Sequence, residues 1–100
     1  MTEEYREMRR RLYIRAEGRC EVCGAPLRDY FELAHRIPQR KHLIKKYGKD
    51  IIHHPLNLRV TCRGACNDSV SVGEAEEAHR PIIREIMEDG YGTDFWESPY

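Results

Sequence analysis

The alternation of apolar and polar positions divides the chain into a helical start, two short strands separated by a long connection, and a helical end. Across residues 2–17, Tyr5, Met8, Leu12 and Ala16 recur at helical spacing on one stripe. Arg6, Arg9, Arg10, Arg11 and Arg15 cover much of the remaining helix surface. Thr2 is placed to cap this helix, Glu3 and Glu4 sit where the helix dipole favours negative charge, and Gly18 suits the left-handed residue that ends it. Residues 30–37 switch to period two, with Phe31, Leu33, His35 and Ile37 on one face and Glu32, Ala34 and Arg36 on the other, ending at Pro38. Residues 57–62 predict a second strand, antiparallel to the first. The connection over 39–55 has room for a short helix around 42–47, stopped by Gly48. After Cys66 a short helix over 67–72 breaks at Gly73. A longer one over 74–89 presents Ile82, Ile83, Ile86 and Met87, with Pro81 starting a new turn or kinking it. Gly90 and Gly92 then release the chain into an acidic, aromatic tail that contains Asp94, Phe95, Trp96 and Glu97.

Composition narrows this to a single small domain over 1–100: a basic N-terminal helix (1–19), a central unit (20–72) and an acidic C-terminal helix and tail (73–100). One hundred residues bury only a modest core, so a metal staple would be useful. With 40% hydrophobic residues the composition is not that of a disordered chain. No apolar run approaches membrane-spanning length, and the N-terminus is charged rather than signal-like, so the expected compartment is the cytoplasm, where thiols stay reduced. The net charge of zero conceals a split. Residues 1–66 hold 15 Lys+Arg against 8 Asp+Glu, a net of +7, and residues 67–100 hold 2 against 9, a net of −7. A basic body with an acidic end is the asymmetry of a polyanion binder, or of two halves that each solvate their own helices.

All four cysteines fall in the central unit, as Cys20-x2-Cys23 and Cys62-x3-Cys66 separated by 38 residues. Two or three residues between ligands let one turn present two thiolates to an ion, and two such turns complete a tetrahedral site. The pattern predicts structural zinc held by Cys20, Cys23, Cys62 and Cys66, over disulfides or a single rubredoxin-like iron in the same ligand set. Four thiolates leave no open coordination position, so such an ion staples the fold and does no chemistry.

Between and after the cysteine pairs stand Ala34-His35-Arg36-Ile37-Pro38, Asn57-Leu58 and Asn67. Together with the cysteines, over about half of the chain, these residues resemble the HNH endonuclease family. The resemblance implies a small α+β fold: a ββα-metal hairpin-plus-helix unit stapled by the four-cysteine zinc site, flanked by an N-terminal helix and C-terminal helices. It implies His35 as the general base that activates water, a task suited to a group titrating near neutrality. It implies Asn57 as the residue holding the His35 imidazole or the connecting loop backbone. Asn67 falls where the family has its last histidine or an asparagine, and would ligate a catalytic Mg2+, Mn2+ or Ni2+ through its amide oxygen. The departure is Ala34, where members with a strong metal site carry Asp or His. Glu32, two residues back on the same strand face, is the substitute carboxylate, with Ser71 and His53 or His54 as weaker alternatives. The His53-His54 pair before Pro55 reads as a loop feature.

The expected partner is double-stranded DNA, held largely through its backbone by Arg10, Arg11, Arg36, Arg40, Lys41, Lys45 and Lys46. No segment looks like a dedicated base-reading element. Double-strand cutting would require two sites, hence a possible homodimer. Two other functions fit the same residues: a zinc module that binds DNA without cutting it, with Ala34 as the sign of decay, and a protein-interaction zinc finger using the acidic tail. The tail would also fold over the basic surface and lower DNA affinity.

Overall fold

The computed structural model describes residues 2–28 and 30–89; the predicted acidic tail lies outside them. Helix α1 (Glu3–Arg15) begins where Thr2 predicts, with the Tyr5 amide donating to the Thr2 hydroxyl at 3.1 Å. Its last turn closes at Arg15, two residues before the predicted end. Gly18 adopts φ 69° and donates to the Tyr13 carbonyl at 3.0 Å, six residues closing on one, with Glu17 beside it also in the left-handed region. Strand β1 (Glu32–His35) pairs antiparallel with β2 (Leu58–Thr61) in the register Glu32 to Thr61, Leu33 to Val60, Ala34 to Arg59 and His35 to Leu58.

The 22 residues between the strands hold more structure than their sequence announces. Helix α2 (Lys41–Tyr47) stops at Gly48, whose φ of 93° excludes other residues at little cost to glycine. A further turn of helix, α3 (Lys49–Ile52), and a 3-10 turn (Pro55–Asn57) then return the chain to β2. Helix α4 (Ala65–Val70) packs on both strands and begins two residues before its predicted start, because Gly64 makes the turn. Helix α5 (Glu76–Glu88) runs through Pro81 without breaking; the imino nitrogen forgoes only the bond to the Glu77 carbonyl. The result is a small α+β domain with one two-stranded sheet. No helix among the described residues is long and apolar enough to cross a membrane.

Two apolar cores stabilise it. The first joins α1 to the cysteine turns and β2 through Met8, Leu12, Cys20, Leu27, Leu58 and Val60. The second joins the β1 exit, α2, α3 and α5 through Ile37, Leu43, Ile51, Ile52, Ile82 and Ile86. Each fully buried aliphatic side chain contributes roughly 1.5–3 kcal/mol. His79, also buried, ties α5 to its neighbours: its Nδ1 accepts from the Tyr47 hydroxyl and its Nε2 donates to the Gly73 carbonyl, both at 2.8 Å.

Candidate functional site

The first cysteine pair is carried on a tight turn closed by an antiparallel bridge between Arg19 and Pro26. The Cys20 amide donates to Ala25 and the Gly24 amide to Cys20, both at 2.9 Å, with Gly24 at φ 78°. The second pair flanks the turn at Gly64, with Cys62 just past β2 and Cys66 in the first turn of α4. All four sulfurs lie within 4.8 Å of one another, and Cys23 and Cys62 are 3.7 Å apart. A metal–sulfur distance of about 2.3 Å implies tetrahedron edges of about 3.8 Å, whereas a disulfide requires about 2.05 Å. The cluster therefore has the dimensions of a four-thiolate metal site, compatible with structural zinc.

Electrostatics point the same way. Burial pushes the Cys20 thiol up, but the amides of Cys23, Cys62 and Val22, each 3.4 Å from its sulfur, outweigh burial and bring it down to about 6. Cys66 moves up to about 12, because its hydrogen bond with Cys23, burial and the neighbouring sulfurs all favour its protonated form. Successive ionisation of clustered thiols is opposed by like charge, and a cation removes that opposition.

Two charged residues lock the first turn to β2. The Glu21 carboxylate accepts from the Val60 amide at 2.8 Å and from Arg15 at 2.7 Å, while the Glu21 amide donates to the Val60 carbonyl at 2.8 Å. Arg15 also donates to the carbonyls of Pro55 at 2.7 Å and Leu58 at 2.8 Å. In sequence Arg15 reads as one more surface arginine. The two carbonyls it bonds lie about forty residues away, and no local signal marks them.

The second cluster gathers residues of β1 and α4. Glu32, His35 and Asn67 line one open cavity of about 440 Å³, together with Arg9, Phe31 and Gln39. The His35 ring is mostly buried, and its Nε2 lies 3.1 Å from Nδ1 of His53, the two rings meeting edge to face. Burial first, and the neighbouring His53 second, bring His35 down to about 4. His53 is lowered to about 4 as well, by burial and then by the charge of Lys49. Both rings are neutral at pH 7, so one nitrogen of the pair donates to the other.

Asn57 is fully buried and does not serve the imidazole directly. Its Oδ1 accepts from the Ile37 amide at 2.8 Å, and its Nδ2 donates to the carbonyls of Ile37 at 3.2 Å and Ile52 at 2.7 Å. Of the two roles expected for Asn57, the structure has the loop-backbone one: it ties the chain leaving β1 to the end of α3, the turn that carries His53. Asn67 directs its Nδ2 towards the Thr61 hydroxyl at 3.5 Å, and Glu32 accepts from the Tyr30 hydroxyl at 3.4 Å. Ala34 is 4% exposed, so a longer side chain there would displace its neighbours. His53, expected as a loop feature and only as a weaker alternative ligand, instead meets the His35 ring; nothing local in the sequence shows that α3 delivers it to β1. Ser71 is spent on the Gly73 amide and His54 caps the 3-10 turn at the Leu56 amide, so neither reaches the cavity lining.

The basic residues expected to hold DNA differ in their surroundings. Arg10 and Arg11 both pair with Glu7, whose carboxyl the Arg10 and Arg11 hydrogen bonds hold at about 2. Arg36 pairs with Glu85, Arg40 and His42 with Glu74, and Lys46 with Glu76. Lys41 and Lys45 are exposed on α2. Glu74 and Glu76 therefore lie against the basic connection. Comparison of the chain with protein-family models, with curated proteins and with solved structures finds no match.

Proposed function

We propose that the chain is a metal-dependent DNA endonuclease or nickase of the HNH type, with a four-cysteine structural zinc and His35 as general base. The observation that supports this best is the convergence of His35, Glu32 and Asn67 on one cavity beside the β1–β2–α4 corner. A neutral imidazole, a carboxylate and an amide oxygen are the groups that hydrolysis of a phosphodiester requires.

In this reading the His35–His53 contact selects the tautomer. With Nε2–H of His35 donating to His53, the lone pair on Nδ1 is left to take a proton from water. His53 is thus a positioning residue, and its neutral ring stabilises the imidazolium less than a carboxylate would. Asn57 keeps the two rings in place by fixing the backbone on either side of them. Glu32 and the Oδ1 of Asn67 are hard oxygen donors, the kind that hold Mg2+ or Mn2+ when phosphate and water complete the shell. Such an ion, when bound, supplies positive charge to the departing oxygen. Ala34 contributes no ligand, so the protein offers few donors and metal affinity is expected to be weak without substrate.

The test is a supercoiled-plasmid nicking assay with Mg2+, Mn2+ or Ni2+. Metal-dependent nicking that is lost in His35→Ala supports the proposal. Absence of nicking in every metal overturns it in favour of a zinc module that binds DNA without cutting.

A further inference from the structure

A second cavity, of about 380 Å³, adjoins the first and is walled by Arg6, Arg9, Arg10, Tyr13, Arg28 and Phe31. The first four recur at helical spacing on one face of α1, next to the stripe that packs into the core. Its floor is already ordered. The Tyr13 hydroxyl donates to the Leu27 carbonyl at 2.8 Å, the Tyr13 and Phe31 rings lie 5.3 Å apart, and the Arg9 guanidinium sits 4.1 Å above the Phe31 ring. Arg9 also donates to the Phe31 carbonyl at 3.0 Å. Glu7 answers Arg10, but among the described residues neither Arg6 nor Arg28 has a carboxylate partner. The cavity thus gathers four guanidinium groups on an aromatic floor with little internal compensation. By contrast Arg36, Arg40 and Lys46 are each paired with α5 or the turn before it.

We propose that this arginine cavity is a binding subsite for a phosphodiester of nucleic acid, taken up by Arg6 and Arg28, with Arg9, Tyr13 and Phe31 against the adjoining sugar or base. A guanidinium fork meets a phosphate through two parallel N–H···O bonds, one to each of two oxygens, and aromatic faces accept any base. Arg9 and Phe31 also line the cavity that holds His35, so a single strand passes from one to the other without leaving the protein surface. That continuity favours a nucleic-acid strand over an acidic peptide. The placement of this subsite beside the scissile phosphate rests on the nuclease reading; the subsite itself does not.

The experiment uses the full zinc-loaded chain and a fluorescein-labelled 20-base-pair duplex, read by anisotropy over a range of salt without divalent metal or chelator. Arg6 and Arg28 are exposed, so Arg6→Ala, Arg28→Ala and the double variant are expected to keep the wild-type thermal midpoint. The double variant is expected to bind at least tenfold more weakly, and its salt slope to fall by about 1.8 for two lost phosphate contacts. Arg84→Ala, which removes an exposed cation of α5 outside both cavities, is expected to change affinity less than twofold. Wild-type affinity and slope in the double variant overturn the subsite, as does wild-type protein that fails to bind at low salt. Displacement of the duplex by polyglutamate of equal charge overturns its assignment to nucleic acid. Binding through Arg6 and Arg28 without nicking in any metal would sink the nuclease reading and leave the subsite standing.

Discussion

The four-thiol cluster and the His35 cavity both draw on the β2–α4 corner, where Cys66 serves one and its neighbour Asn67 lines the other, but they are held together differently. The cysteine cluster is a set of like groups that oppose one another's ionisation until a cation arrives. The cavity is a set of unlike groups with unlike partners: His35 meets the His53 ring, Asn67 the Thr61 hydroxyl and Glu32 the Tyr30 hydroxyl. Losing the cation should therefore dissolve the first cluster and the fold with it. Losing one side chain of the second should leave the fold and remove the chemistry.

The largest effect expected is on the thiols. A structural site of this kind contributes an apparent ~10–16 kcal/mol of binding free energy at neutral pH. Chelation of the metal, or Cys62→Ser, is expected to abolish the cooperative thermal transition followed by circular dichroism, with one metal released per chain. A chain that melts normally without metal would remove the distinction between the two clusters. Next comes His35→Ala, expected to lower the nicking rate by about 10²–10⁴-fold while the thermal midpoint stays close to wild type.

Asn57 belongs to both descriptions and gives a mixed outcome. Asn57→Ala strands the Ile37 and Ile52 backbone groups in the interior, a loss of about 2–5 kcal/mol by urea denaturation. Its nicking rate should fall as well, because the His35 and His53 backbones are no longer tied together. A stable but inactive Asn57→Ala would place its role at the ring rather than in the loop.

The pH dependence separates the clusters more finely. His35 and His53 stand at about 4 in the folded chain against 6.5 ordinarily. As pH falls the unfolded chain takes up these protons first, so their contribution to stability is complete above about 6.5 and is lost as pH falls towards about 4. The urea midpoint should drop between pH 7 and pH 4.5, and by less in His53→Ala. The acid limb of nicking should lie well below 6.5 in the wild type. It should move upward in His53→Ala, where part of the burial of His35 and its competition with a second ring for protons are gone. An unshifted limb would mean that His53 does not act on His35. The smallest effect belongs to Glu85→Gln, which leaves the exposed side of the Arg36 pair and should cost under about 1 kcal/mol.

What the sequence made legible was whatever local rules decide. Thr2, Gly18 and Gly48 mark helix ends because their side chains, or the lack of one, act on their own backbone. Leu58 and Val60 mark β2 by alternation, and the cysteine spacing marks a tetrahedral cluster. Less visible were features that depend on which distant groups meet. Turn α3 has no amphipathic period in its four residues, so His53 could not be placed against His35. Arg15 and Glu21 look like surface charges, yet both are structural. The basic run over 39–49 reads as a polyanion site, but Glu74 and Glu76 already occupy part of it. The cavity on α1 was half visible, as arginines at helical spacing; Arg28 and Phe31 complete it only after the chain folds back.

The separation of the two cysteine pairs also sets an order of events during synthesis. The Cys20–Cys23 turn leaves the ribosome with half a ligand set, and Cys66 is added 43 residues after Cys23. At typical elongation rates that interval is roughly 2–9 s. For most of it Arg15 and Glu21 also wait for the 55–60 segment they fasten, so the nascent N-terminal helix lacks its backbone partners. The first core closes only when β2 arrives with Leu58 and Val60, and the last thiol of the ligand set follows six residues later at Cys66.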